Sequence, residues 1–228
     1  MRGPCSCSGS LRLAVWRDID RYVYSMCGDK RPGIGSVMLI ATSPGLWALA
    51  SYRLTHHFIY RFQPRALGKL LAVPSFVMSR MTALICGIEI ESGAHIGRGL
   101  LINNFGGIVM GAITMGENCT INQGVTLGRS STVAGKALND LPTIGDRVFI
   151  GPRAIVAGPV ALGDDASVAG GSLVTRDVPT RGVAMGVPAK VVSREGSFHQ
   201  VHYRNMDNDP LRLTALNDDQ QAEPNVTS

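Results

Sequence analysis

Ile102-Asn103-Asn104 is answered nineteen residues later by Ile121-Asn122-Gln123. An amide donates and accepts hydrogen bonds but takes up no proton at a useful pH. These side chains can therefore hold a substrate hydroxyl or orient a water, or they can ladder to one another as stacked amides do in other β structures. Both uses are open from the sequence. Acid–base chemistry needs other groups. Of the five histidines, His56 and His57 follow Tyr52-Arg53-Leu54 in a helical pattern and read as packing or polar surface. His95 precedes an inward Ile96 and points outward, to solvent or to a neighbouring subunit. His199 and His202 lie in a polar tail and become catalytic only if that tail folds back. Between Leu127 and Ile144 a loop breaks the local pattern and collects Arg129, Ser130, Ser131, Thr132, Lys136, Asn139 and Asp140. Such excursions are where substrate-facing residues gather. A carboxylate such as Glu89 or Asp140 serves as a base near neutral pH only where burial raises its pKa.

The elements that must position these groups follow a six-residue beat. Ile144, Ile150, Val156, Leu162, Val168 and Val174 are evenly spaced, and Ile90, Ile96, Ile102 and Ile108 keep the same interval earlier. The beat then shifts by one, with Val109, Met115, Ile121 and Leu127 carrying it on. Small or β-branched residues, Val148, Ala154, Val160, Ala166 and Ser172, recur four places after the aliphatic one. A fixed repeat of this kind marks a solenoid, here a parallel β-helix in which three hexads make one triangular coil. Gly97, Gly116, Gly145, Gly151 and Gly163 are expected to supply backbone angles that other residues resist at the corners. A narrow coil buries little, so lateral association into a homotrimer is expected.

Residues 1–87 lack the beat and read as an α-helical segment, residues 88–192 as the β-helix, and 193–228 as a polar tail, disordered or loosely attached. One helix is expected from Leu11 to Cys27 with Gly28 as its stop, and Pro44 and Pro64 each open another. The stretches 35–50 and 66–86 are apolar, but Pro44, Lys69 and Arg80 interrupt them. Neither holds the roughly 20 uninterrupted apolar residues that spanning a bilayer needs. Helix packing at a trimer interface is the expectation, with no secretory signal and a cytoplasmic location. The formal net charge of +5 suits an anionic, phosphate-bearing ligand, and no basic run is dense enough for nucleic acid. Cys5, Cys7, Cys27, Cys86 and Cys119 are an odd number without zinc-like spacing and are expected to be free thiols; no metal is expected.

The blocks SPGLWALASYRL, GIEIESGAHIGRGLLI, GVTLG, PTIGDRVFIGPRAIV, GGSLVTRDVP and AMGVPAKVV stand in this order over about residues 40–192. In content and spacing the chain resembles the serine O-acetyltransferase branch of the hexapeptide-repeat acyltransferases. The resemblance implies a mainly β fold, a left-handed parallel β-helix with an N-terminal α-helical segment. The crossover rule alone suggests the opposite hand. It further implies a trimer or dimer of trimers, acetyl-CoA as acyl donor, and an active site between subunits.

The chain departs from that family where its chemistry resides. Asn103 and Asn104 stand in the places of an aspartate and the base histidine, while Asn139-Asp140-Leu141-Pro142 stands for Asp-Arg-His-Pro. Both histidines are absent, and Asp140 reverses the charge of the arginine that grips serine. Glu89 keeps the place of the carboxylate that orients the base. The resemblance thus assigns Glu89 to orientation or base function, Asn104 to acceptor binding, and Asp140 to acceptor binding or base function. It assigns the coenzyme to Gly128, Arg129, Pro152, Gly170, Gly171 and Lys190. The acceptor is then a hydroxyl or an amine, with a neutral sugar preferred to free serine. A trimeric scaffold without catalysis is the alternative. Family members that join cysteine synthase end in isoleucine, and Asn225-Val226-Thr227-Ser228 gives that partner no support.

Overall fold

The computed structural model describes residues 10–129, 141–214 and 216. Four helices precede the first strand: α1 (Leu11–Cys27), α2 (Ile34–Ala41), α3 (Pro44–Tyr60) and α4 (Arg65–Cys86). Gly28 ends α1 and Pro44 opens α3 as the sequence implies, and Pro64 is the N-cap of α4. The eight-residue α2, read as part of a longer apolar stretch, is a separate element.

From Ile88 the chain winds as a left-handed solenoid with three parallel sheets. The first stacks Ile88–Ile90, Ile108–Met110, Thr126–Gly128, Ile155–Ala157 and Leu173–Val174. The second stacks His95–Ile96, Thr114–Met115, Thr143–Ile144 and Ala161–Leu162. The third stacks Leu101–Ile102, Thr120–Ile121, Phe149–Ile150, Ser167–Val168 and Val183–Gly186, and Ala189–Ser193 closes it as an antiparallel strand. Each turn of chain lays one strand on each wall, so the inward aliphatic residues form one continuous column. Ile144, Ile150, Val156, Leu162, Val168 and Val174 are all at most 2% exposed.

The beat does not pass through Val109. Ile90 pairs with Met110 and Glu89 with Val109, so Met110 points inward and Val109 is 44% exposed. The interval from Ile102 to Met110 is two residues longer than a hexad because the corner at residues 103–107 is widened. The next interval, to Met115, is one shorter.

The corner glycines also have a different cause from the one their composition suggests. Gly97, Gly116, Gly145, Gly151 and Gly163 do not have positive φ. Instead, a Cβ on Gly151 would lie 2.6 Å from the Gly170 nitrogen, and one on Gly145 would lie 2.9 Å from the Gly163 carbonyl carbon. The coils stack too closely there for a side chain. Gly163→Ala, whose methyl meets only backbone of Pro179 and Thr180, is expected to cost about 1–3 kcal/mol through overpacking. Gly128→Ala, with nothing within 4 Å, is expected to change thermal stability little. Equal melting points for these two variants would refute the steric account.

The first coil exposes strand edges that need cover, and helical side chains supply it. The Tyr22 hydroxyl donates to Ile102 O at 3.1 Å and accepts from Ile102 N at 3.2 Å. The Tyr52 hydroxyl does the same for Ala94 O and Ile96 N at 2.7 and 3.3 Å. Arg53, between them in space, donates to Asp18 Oδ2 at 2.9 Å and to Ile96 O at 2.6 Å, while Asp18 Oδ1 accepts from Gly99 N at 2.9 Å. The helical segment therefore caps the solenoid through hydrogen bonds that replace a missing coil.

The tail is attached rather than loose. Phe198, Val201 and Tyr203 are buried. Ser197 N donates to Asp165 O at 2.8 Å, and Arg212 donates to Val201 O and Phe198 O, each at 2.8 Å. Arg204 pairs with Asp20 of α1 at 2.9 Å. These apolar and ionic anchors outweigh the polar composition that suggested disorder, at least to Leu216. Phe76, Val77, Leu84 and Ile85 of α4 are exposed, and this helix is long and apolar enough to cross a membrane despite its interruptions. The sequence alone placed it short of that mark.

Candidate active site

One corner of the prism, between the third and first sheets, carries Asn104 together with Pro152, Gly170 and Gly171 of the expected site. Asn103 N donates to Ile121 O, Asn122 N to Ile150 O and Gly151 N to Val168 O, so Asn103-Asn104, Asn122-Gln123, Gly151-Pro152 and Ala169-Gly170 lie in one ascending column. Gly171 N donates to Pro152 O at 2.8 Å. At roughly 4.8 Å per coil, Gly170 stands about 14 Å above Asn104 along this edge. The amides do ladder: Asn103 Nδ2 donates to Asn122 Oδ1 at 3.2 Å and Asn104 Nδ2 to Gln123 Oε1 at 3.0 Å. Asn122 Nδ2 passes the chain on to Ile150 O at 3.0 Å. Asn103 and Asn104 remain exposed to solvent, so their carbonyl oxygens are available as well.

Glu89 faces outward on the first sheet, in a different cavity of about 320 Å³ lined also by Tyr52, Arg80 and Glu91. Its Oε1 accepts from Arg80 Nη1 at 2.7 Å, in an ion pair about half exposed. Asn104 is not among the described residues that line this cavity. Asn139 and Asp140 lie outside the described residues. Of the coenzyme group, Pro152, Gly170 and Gly171 share the amide edge, whereas Gly128 and the exposed Arg129 stand at the opposite end of the first sheet. Lys190 is exposed in the terminal antiparallel strand, opposite Met185. Gly128 and Gly171, the latter at φ 69°, have open space where a Cβ would project.

The tail brings a residue to this corner that spacing could not assign. His202, Gln200, Arg21 and Tyr24 line a cavity of about 220 Å³ with Asn103 and Thr120. His202 thereby lines one cavity with Asn103. Desolvation first, then the positive charges of Arg212 and Arg21, hold its pKa below the ordinary imidazole value. It is therefore neutral at pH 7 and able to accept a proton. The only hint in the sequence was Phe198, Val201 and Tyr203, apolar residues in an otherwise polar tail.

The other histidines form a separate group. His56 Nδ1 lies 3.0 Å from Ser92 O, and its ring meets His95 edge-on at 5.5 Å between centroids. Cys27, Cys86 and Cys119 are free thiols, and burial pushes Cys119 up to about 12. Cys5 and Cys7 lie outside the described residues. Among the described residues no three or more His, Cys, Asp or Glu side chains are grouped to hold a metal ion.

Residues 142–176 match the family model described as bacterial transferase hexapeptide (six repeats). The serine acetyltransferase of Helicobacter pylori strain J99 is 39% identical over 156 residues, 67% of this chain and 83% of that protein. That of Bacillus subtilis is 35% identical over 170 residues, 74% of this chain and 73% of the relative. Among solved structures, soybean serine acetyltransferase in complex with serine superposes with a TM-score of 0.63 at 31% identity, covering 80% of this chain and 70% of that one. The Neisseria gonorrhoeae serine acetyltransferase structure gives 0.65 at 26% identity, with 88% and 70% covered.

Proposed function

The chain belongs to the serine acetyltransferase family, and from that premise we propose that it moves an acetyl group from acetyl-CoA to a small hydroxyl acceptor other than free L-serine, with His202 as general base. It is an acyltransferase, and acetyl-CoA supplies the electrophilic acyl carbon of a thioester. The observation that carries the reading is the cavity shared by Asn103 and His202.

In this reading His202 takes the hydroxyl proton as the acceptor oxygen bonds the acetyl carbon, and returns it to the sulfur as the carbon–sulfur bond breaks. Asn103 and Asn104 hold the acceptor through their carbonyl oxygens, one N–H of each amide being engaged in the ladder. The base role suits His202 better than Glu89, whose carboxylate is bound to Arg80. Glu89 is held by Arg80 in a separate cavity and is not proposed to act on His202, and Asp140 is proposed to contribute to acceptor binding. Pro152, Gly170 and Gly171 would hold the pantetheine arm along the amide edge. Lys190 and Arg129 would meet phosphates, and Gly128 would be reached across the first sheet. The exposed apolar face of α4, with Phe76, Leu84 and Ile85, supports burial between subunits of a homotrimer or dimer of trimers; a cytoplasmic location is proposed with it. Sedimentation of the purified protein tests that assembly.

Release of free CoA, followed with a thiol reagent across hydroxyl acceptors, tests the transfer itself. Hydroxylated sugars are expected to be turned over and L-serine to be a poor acceptor. Efficient turnover of L-serine refutes the altered acceptor. Absence of acetyl-CoA binding at millimolar concentration would favour a non-catalytic scaffold.

A further inference from the structure

The chain buries its arginines with partners, and Arg21 breaks the rule. Arg53 has Asp18 at 2.9 Å and Arg147 has Asp165 at 2.8 Å. Arg212, without a carboxylate, donates to two main-chain carbonyls. Arg21 is only 3% exposed, yet no carboxylate pairs with it among the described residues and its Nε has no hydrogen-bond partner. Its Nη2 donates to Thr120 Oγ1 at 3.0 Å, and its guanidinium lies over the Tyr203 ring at 5.8 Å. A buried cation left in this condition is strongly disfavoured unless something offsets it.

Arg21 lines the 220 Å³ cavity that also holds Asn103 and His202. Among the described residues none lining this cavity is acidic, whereas Tyr24, Asn103, Gln200 and His202 present neutral polar groups around the guanidinium. Arg212 adds a second positive charge to the field at Arg21. A guanidinium fork in an acid-free, polar-lined recess is built to take a planar or tetrahedral oxyanion. An ammonium group would find no counter-charge in it.

We propose that this recess is an oxyanion subsite, and that it takes a carboxylate or phosphate on the transferase's hydroxyl acceptor, an acidic compound that carries no ammonium group. The volume accommodates the anionic group, and the remainder of the acceptor extends toward the exposed edge at Asn104. The inference rests on the acetyl-transfer reading and replaces its neutral sugar with a charged one. It also gives a reason for L-serine to be rejected, because the α-ammonium would lie beside Arg21 and in the positive field to which Arg212 adds.

The full-length protein is titrated with inorganic phosphate against chloride at matched ionic strength, following thermal midpoint and the His202 imidazole resonances. Phosphate is expected to raise the midpoint and shift those resonances. Arg21→Met should weaken its affinity on the order of tenfold or more, as expected for loss of a charged hydrogen bond. Gln200→Leu, on the exposed tail, should weaken it less while leaving the fold intact, and it stands in for Arg21→Met if that variant does not fold. Turnover is then compared for a hexose phosphate, a hexuronate and a neutral hexose, the first two separating phosphate from carboxylate. Preference for either anion that disappears with Arg21→Met, or weakens with Gln200→Leu, supports the subsite. Phosphate affinity unchanged in both variants overturns it, as does equal turnover of the neutral hexose. A change in oligomeric mass with no change in phosphate affinity also overturns it, because Arg21 would then pair with a neighbouring subunit. Arg21-dependent phosphate binding without CoA release from any acceptor leaves the subsite standing and removes the transferase reading instead.

Discussion

His202→Ala is expected to lower kcat/KM for acetyl transfer by roughly 10²–10⁴-fold, the usual contribution of a positioned base. Its side chain is at the exposed rim of the recess, so the thermal midpoint should scarcely move. The pH profile separates a base from a residue that merely holds the tail. Desolvation, then Arg212, Arg21 and His199, lower the His202 pKa. The acid limb of kcat/KM should therefore fall below the ordinary imidazole value of about 6.5, with activity constant above it. Because the folded state binds this proton less tightly than the unfolded chain, the linked stability is full above about 6.5 and is lost as pH falls through the lowered pKa. His202→Ala should remove the acid limb along with most of the rate. A variant retaining wild-type kcat/KM and the same limb would end the assignment.

Arg53→Met is expected to cost about 3–5 kcal/mol, the range for removing one partner of a buried ion pair. That is a large share of the roughly 5–15 kcal/mol available to a typical domain. Arg53 and Asp18 are 8% and 1% exposed. The substitution strands the Asp18 carboxylate and also removes donors from Ile96 O and Gly97 O. Because these bonds tie α1 and α3 to the open end of the solenoid, the helices and first coil should loosen together. Asp18→Leu combined with Arg53→Met should recover part of the loss, since an apolar pair leaves no buried charge. Incomplete recovery is expected because Gly99 N and Leu100 N also lose their acceptor. Urea unfolding that gives Arg53→Met a cost under 1 kcal/mol would refute this capping role.

The inward column was legible because a six-residue repeat has a single physical use here, facing aliphatic side chains toward a narrow axis. The error at Val109 came where the chain widens a corner, which spacing cannot distinguish from a shift of register. At the corner glycines composition gave the right residues and the wrong cause. Freedom in φ is a local property, whereas the collision that excludes a methyl from Gly151 involves Gly170 in the next coil. The amide ladder was one of two readings open from the repeated Ile-Asn motif, and the structure realises it. The positions of Glu89 and Asn104 in the motif said nothing about whether their side chains share a cavity.

By itself the sequence determined the solenoid, its inward aliphatic column, the extent of α1 and the starts of α3 and α4, because each depends on periodicity or on a cap within a few residues. Only the tertiary structure decided that Tyr22, Tyr52 and Arg53 complete the first coil and that Arg21 is buried without a counter-ion among the described residues. It also decided that His202 reaches Asn103's recess. These relations join residues some 40 to 100 positions apart, and the last of them exists only once burial of Phe198, Val201 and Tyr203 has brought the tail onto the third sheet. No local pattern encodes that docking, since its free energy comes from surfaces that meet only in the folded chain.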